Sequence, residues 1–339
     1  MESTTELAFA PVLPDVRLDI YRGEEWITAF ANDVHDGLAG TPRTLPPKYF
    51  YDARGSELFD RITEQPEYYP TRTETSILNE RGSEIIEHAG VSALVELGSG
   101  SSIKTELLLA PMIERCERLV AAEALYMPID VSESAVRAAA VRLVDDYPGL
   151  RVHGVIGDFE KHLGGLPHVD ARLFAFLGGT IGNFTPQRMK FFMRRMRTLM
   201  QQSDRMLIGI DLVKPVDEIE AAYNDSAGVT AEFNKNILTA INQNLRGNFA
   251  PEQFEHVAFF DRDNSWIEMR LRAACDQAVR IGAVGLDLVF EAGDEIRTEI
   301  SRKFSRQSFE HELTATGIAV DQWYSDTDER FALVLVKPE

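Results

Sequence analysis

Cysteine is scarce in this chain. Cys116 and Cys275 are the only two in 339 residues, and their separation suits neither a disulfide framework nor a cysteine zinc site. A reducing compartment fits such usage. Long apolar runs are also missing, and the opening MESTTELAFAPVLPD has neither a cationic head nor an apolar signal core. The expected location is therefore cytoplasmic, with no membrane contact, and the glycosylation-like triplets at 183–185 and 224–226 are chance matches. Basic residues are outnumbered: 35 Lys and Arg stand against 54 Asp and Glu, a formal charge of −19. Such a surface repels phosphate backbones, which argues against nucleic acid as substrate or partner. His153, His162 and His168 fall at spacings that match no metal motif, so no metal is expected. Repeats and low-complexity tracts are absent. What is present is ordinary: 44% hydrophobic and 26% charged residues, in a chain long enough for one large domain or two modest ones.

From about residue 73, strand-like and helix-like segments alternate. The strands are Leu94–Leu97, YMPIDVS (126–132), RVHGVIGDF (151–159), RLFAFLGGTIGNF (172–184) and RMLIGIDLV (205–213). This βαβ rhythm predicts a doubly wound, mostly parallel sheet. The last strand, RFALVLVK (330–337), should complete it. In TPQRMKFFMRRMRTLM (185–200), Thr185 caps a helix, Pro186 takes its first turn, and Met189, Phe192, Met196 and Leu199 form the buried stripe. The arginines there read as a solvated face. Residues 214–303 break the rhythm, with a helix over 228–247 stopped by Gly247 and then antiparallel strands. The stretch 15–72 reads as helical and is rich in aromatics. The expected anatomy is a nucleotide-binding core of 73–213 plus 304–339, a cap of 15–72 plus 214–303, and an N-terminal extension of 1–14.

The loop after the first core strand carries the first chemical signal. Glu96-Leu-Gly98-Ser-Gly100 ends a strand, and Lys104 follows where a helix begins. The loop lacks the Gly-Lys-Ser/Thr ending of a triphosphate cradle. It also lacks the third glycine of a dinucleotide fingerprint, because position 103 is Ile103, and Asp130 lies too far downstream for that pattern's acid. S-adenosylmethionine suits it better, having no pyrophosphate to cradle. Asp130, at the next strand end, can accept from both ribose hydroxyls. Asp158, one strand further on, can accept from the adenine amino group, with Phe159 beside the purine. Singly, each acid is as readily a helix cap or a loop charge; the ordered trio of strand ends is the signal.

Longer stretches carry a closer resemblance. LPPKYFYDARGSELFDRITEQPEYYPTRTE (45–74), LVELGSGSSIKT (94–105), GDFEKHLG (157–164), FLGGTIGNFTP (176–186), AYNDSAGVTAEFNKN (222–236) and TEISRKF (298–304) are together similar to the histidine Nα-methyltransferases of ergothioneine biosynthesis. The resemblance implies an α/β, Rossmann-like class I methyltransferase core with an inserted α+β substrate-binding domain. It also implies a monomer that trimethylates the α-amino group of L-histidine to hercynine, using S-adenosyl-L-methionine. By motif, Tyr68, Gly98, Gly100, Lys104, Asp130, Asp158 and Phe159 would bind the donor. Tyr51, Gly178 and Thr180 would surround the reacting amine, and Asn183 and Tyr223 would hold the histidine carboxylate. Glu299 and Ser301 would grip the imidazole, with Met269 and Tyr68 lining that pocket. The chain departs from the family at Gly179, where members carry serine, and at Ser101 beside the glycines.

Three other readings stay open. One is an N-methyltransferase of another amino acid, such as a tryptophan derivative, though a carboxylate at 299 would then face a purely apolar ring unpaired. Another is a non-catalytic protein that binds S-adenosylmethionine and recruits a partner. The third is a nicotinamide oxidoreductase, disfavoured by the glycine spacing. Taken alone, Asn183 is a turn former, Tyr223 a helix-surface residue and Met269 a core residue.

Overall fold

A computed structural model describes residues 15–21, 23–119, 123–167 and 169–339. The expected N-terminal extension (1–14) and His168 lie outside the described residues. The main sheet has eight strands, in spatial order Val16–Ile20, Arg151–Ile156, Leu125–Asp130, Ala93–Leu97, Arg172–Phe176, Arg205–Asp211, Phe331–Pro338 and Ile318–Ser325. The first six run parallel; the last two are antiparallel to their neighbours. Parallel strands need crossovers, and helices supply them on both faces.

Alternation along each strand shows why two layers of helix are required. Val95, Met206, Ile208 and Val334 enter a core shared with the helices Pro186–Leu199 and Arg306–Leu313. Their immediate neighbours Leu94, Leu207, Leu333 and Leu335 enter a second core under Tyr69–Ala89, Glu106–Arg118 and Glu133–Asp146. A period of two with both phases apolar leaves no face for water. The helix at 186–199 forms as its sequence indicates. Thr185 Oγ1 accepts from Arg188 N, and Met189, Phe192 and Met196 are buried.

One expectation about the sheet needs correcting. The stretch 15–72 is not wholly helical, because Val16–Ile20 extends the main sheet beside Arg151–Ile156. The last strand joins the sheet as expected, inserted between Arg205–Asp211 and Ile318–Ser325, and the latter forms the edge.

A third apolar core lies apart from the other two. It joins Glu24–Ala39, Ala53–Thr63 and Val229–Leu245 to a four-stranded sheet of order Arg43–Thr44, Glu295–Arg302, Trp266–Ala273 and Phe254–Asp261. A separate pair, Gln277–Ile281 with Leu286–Phe290, packs on it. The helix at 229–245 stops one residue earlier than Gly247 suggests, with Arg246 taking the left-handed position at φ 56°. No helix among the described residues is long and apolar enough to cross a membrane.

Candidate active site

The C-terminal ends of the parallel strands line up with one wall of the four-stranded sheet. After Leu97 the chain turns through Gly98 and Gly100, with φ of 74° and 50°. Glycine alone adopts this backbone at little cost. Nothing lies within 4 Å of where a Cβ would stand on either residue, so the turn and not crowding calls for them. The side chain of Ser99 is buried, and its Oγ has no hydrogen-bond partner among the described residues. Asp130 accepts from Gly100 N at 2.9 Å and from Ser132 N at 2.7 Å, bracing the glycine turn from the neighbouring strand.

Asp158 caps the helix Phe159–His162 by accepting from Glu160 N at 2.9 Å. Its other oxygen accepts from Lys48 Nζ at 3.2 Å, and Lys48 also pairs with Asp33 at 3.0 Å. Lys48 was not singled out in the sequence; it ties the aromatic N-terminal segment to this strand end. Phe159 stands edge-on to Phe176 with centroids 5.4 Å apart. The glycine turn, Asp130 and Asp158 thus occupy three adjacent strand ends, in the order expected.

A buried carboxylate joins the next two elements. Glu74, on the helix Tyr69–Ala89, is wholly buried, and it pairs with Lys104 just before the helix Glu106–Arg118. Its oxygens also accept from Gly178 N at 2.8 and 3.0 Å. Gly178 and Gly179 both have positive φ, 75° and 68°. Thr180 Oγ1 donates to Leu177 O at 2.8 Å. A Cβ on Gly178 would lie 3.5 Å from Thr180 Oγ1 and 3.8 Å from Lys104 Nζ, so these three residues are neighbours. Gly182 approaches the opposite wall so closely that a Cβ would meet Arg302 O at 3.0 Å and Ser301 Oγ at 3.4 Å. Asn183 is the next residue along this loop.

The opposite wall is the strand Glu295–Arg302. Glu299 is the direct cross-strand partner of Met269, and the register from Glu299 to Arg302 is regular. Ser301, two residues on, therefore shares the face of Glu299. Tyr223 donates to Ser301 Oγ at 2.8 Å, and the ring of Tyr68 stands edge-on to Tyr223 at 6.4 Å. Burial, with the Glu299 charge among the contributors, pushes the phenols of Tyr51, Tyr68 and Tyr223 well above their ordinary value. All three stay neutral hydroxyls at any working pH. The charge of Asp130 adds to the rise at Tyr51. Glu299 is pushed up to about 7 by burial, with Lys303 opposing the rise.

Behind this wall lies an ionic cluster that the motifs did not reveal. Lys303 Nζ pairs with Asp211 at 2.8 Å and donates to Ser301 Oγ at 2.9 Å and Tyr223 OH at 3.1 Å. Burial works against the charge on Asp211, yet Lys303 and Lys214 hold it below the usual carboxylate range. Lys303 was findable, since it continues the alternation 299, 301. Glu74 and Lys48 were not, because the partners that tie them to the site, Lys104 and Gly178 for one and Asp158 for the other, lie 30 to 110 residues away. Tyr223, expected at a substrate carboxylate, here directs its hydroxyl at Ser301. Among the described residues no group of His, Cys, Asp and Glu could hold a metal ion.

Comparison with known proteins bears on this arrangement. Residues 30–338 match the model of a family described as histidine-specific methyltransferase, SAM-dependent. The chain is 46% identical over 309 residues to the histidine N-alpha-methyltransferase of Mycolicibacterium smegmatis, covering 91% of this chain and 94% of that one. It is 44% identical over 307 residues to the protein of the same name from Mycobacterium tuberculosis, with 91% and 94% covered. It is 28% identical over 294 residues to the ergothioneine biosynthesis protein 1 of Neurospora crassa, spanning 83% of this chain but 32% of the fungal one. The glycine turn, the strand-end acids and the Glu299–Ser301 wall all fall within the matched region, and the chain belongs to the histidine-specific, S-adenosylmethionine-dependent methyltransferase family.

Proposed function

We propose that this protein transfers three methyl groups in turn from S-adenosylmethionine to the α-amino nitrogen of L-histidine, giving hercynine, the first step of ergothioneine biosynthesis. The observation that carries this reading is the acid–hydroxyl pair of Glu299 and Ser301 on one strand face, under the neutral phenols and against the Gly178–Asn183 loop. An imidazole offers one N–H donor and one bare nitrogen, and that pair answers both.

The residues at the strand ends fit the donor. Open space beside Gly98 and Gly100, a Ser99 Oγ with no partner among the described residues and the Lys104 cation at the start of a helix suit an adenosyl group bearing an amino-acid tail. Gly98, Gly100 and Asp130 would hold the ribose end, Asp158 and Phe159 the adenine, and Lys104 the tail carboxylate, with Tyr68 over the methyl group. Bound there, the sulfonium supplies an already electrophilic methyl group. The chain's task is then mainly alignment. Asn183 and Tyr223 flank the histidine carboxylate, and Met269 lines the ring pocket. Gly178 turns its N–H away to Glu74, so its carbonyl, with Tyr51 and Thr180, is left to orient the amine. The amine must lose a proton before it attacks, since amino groups near neutral pH are largely ammonium. Tyr51 remains a phenol, so it orients and does not serve as the base; water or a carboxylate receives the proton. The fixed cation of the product suits the faces of Tyr51 and Tyr68.

We assign residues 73–213 plus 304–339 to the donor core and 15–72 plus 214–303 to the substrate cap, with the strand Val16–Ile20 given instead to the core. A monomer in the cytoplasm is part of the same proposal, tested by size-exclusion chromatography and cell fractionation. The decisive experiment is mass spectrometry of histidine incubated with the protein and S-adenosylmethionine. Trimethylhistidine with an unmodified ring is expected. No product, or preferred methylation of tryptophan, would overturn the assignment.

A further inference from the structure

The buried ionic cluster behind the substrate wall has no part in the reading above, yet its geometry reaches that wall directly. Lys303 is 3% exposed. An ammonium has three N–H donors and no acceptor. The three acceptors around Lys303 Nζ are Asp211 Oδ2, Ser301 Oγ and Tyr223 OH, at 2.8, 2.9 and 3.1 Å.

This count constrains the two hydroxyls. Each oxygen already accepts from Lys303, and the two share one bond of 2.8 Å, donated by Tyr223. Two hydroxyl protons with one mutual bond leave one proton to be given outward, and here it belongs to Ser301. Ser301 Oγ has both lone pairs filled, so it faces the substrate space as a donor. Glu299 on the same face is the acceptor. Together they accept a neutral imidazole in one tautomer. An imidazolium, with two N–H groups, would set one of them against the Ser301 proton.

Charge works in the same direction. Asp211 is shared by Lys303 and Lys214, and Tyr69 OH also donates to it at 2.8 Å. Glu218 also acts on Lys214, so that second ammonium is answered by Asp211 and Glu218 together, while the charge of Lys303 reaches Glu299 as well. The other titratable groups facing Glu299 are the phenols of Tyr51, Tyr68 and Tyr223, which carry no charge at working pH. Among the described residues Lys303 is the cation whose charge opposes the effect of burial on Glu299.

From this we infer that Lys303, anchored on Asp211, is a positioning residue for histidine recognition: it turns Ser301 into a committed donor beside the Glu299 acceptor. The inference rests on the proposal that Glu299 and Ser301 receive the imidazole, and the test separates the two. Steady-state kinetics over pH are measured for the wild type, Glu299→Ala and Lys303→Met, with calorimetry of S-adenosylhomocysteine as the check on folding. For Lys303→Met we expect a KM for histidine raised on the order of tenfold to a hundredfold. The acidic limb of kcat/KM should move to higher pH, kcat should change less, and S-adenosylhomocysteine affinity should hold. If Glu299→Ala leaves the KM for histidine unchanged, the assignment of the imidazole pocket fails. If Glu299→Ala raises it but Lys303→Met moves neither KM nor the limb, the role of Lys303 fails alone. Should Lys303→Met not fold, ¹⁵N NMR of labelled histidine bound to the wild type with S-adenosylhomocysteine decides. One protonated ring nitrogen at neutral pH supports the inference, and two overturn it.

Discussion

Glu74 is the most exacting point at which to perturb this site. Its carboxylate is wholly buried and accepts from Gly178 N at 2.8 and 3.0 Å while pairing with Lys104. Replacing it with glutamine keeps the shape and one acceptor oxygen but removes the charge, and it turns an NH₂ group toward an ammonium. A hydrogen bond to a charged group contributes ~1.5–3 kcal/mol. Loss of one member of a fully buried pair costs ~3–5 kcal/mol, but Lys104 keeps 25% of its side-chain surface and can turn to water. We therefore expect Glu74→Gln to lose about 2 kcal/mol of stability, a fall in melting temperature of about 3 °C in a chain of this size. Because the same bonds place the Gly178 loop, kcat for histidine should fall by more than its KM rises. Gly209→Ala attacks the carboxylate from behind, since its Cβ would stand 2.2 Å from Glu74 Oε1, whose hydrogen bonds keep it from yielding cheaply. The two variants should share one phenotype in differential scanning calorimetry and in kinetics. Wild-type melting and wild-type kcat in Glu74→Gln would refute the idea that this carboxylate joins the two loops.

Other expectations follow from single residues. Asp130→Ala should weaken S-adenosylmethionine and its demethylated product alike, by roughly tenfold to a hundredfold, through loss of ~1.5–3 kcal/mol; calorimetry showing heat from NAD and none from S-adenosylmethionine would reverse the donor assignment. Glu299→Ala should lower kcat/KM for histidine by roughly tenfold to a hundredfold and raise tryptophan relative to it, because the buried acid that opposes an apolar ring is gone; an unchanged preference in competition assays would place Glu299 outside the pocket. In the wild type an ionised Glu299 accepts an imidazole N–H far more strongly than a protonated one, so kcat/KM for histidine should climb as pH rises through about 7, and Glu299→Gln should remove that component. Glu96, buried between the hydroxyls of Thr105 and Tyr126, is pushed up to about 7 by burial. The folded state then holds a proton that the unfolded state has lost, so the stability from this site is complete below the ordinary carboxylate range and is lost as pH rises to about 7. Urea titrations should show a contribution near −1.4 kcal/mol per pH unit across that window, flattened in Glu96→Gln; identical slopes in the two proteins would show that Glu96 is not the group.

Much of this molecule is written in short stretches of chain. The glycines at 98 and 100 were legible because positive φ is a local demand, and Asp130 and Asp158 because a strand end places its next acid without help from distant residues. The cap of the helix at 186–199 and the shared face of Glu299 and Ser301 follow likewise from spacings of a few residues. Other features depend on partners far off in sequence. Val16–Ile20 is a strand because Arg151–Ile156, far along the chain, offers it an edge. The final strand lies inside the sheet because Ile318–Ser325 pairs outside it. Glu74 joins Lys104 to Gly178, Lys48 joins Asp33 to Asp158, and Lys303 joins Asp211 to Ser301 and Tyr223. A buried charge is tolerable only where a counter-charge or a full set of hydrogen bonds meets it. Nothing local in the sequence states where that partner will be; only the packed chain brings it there.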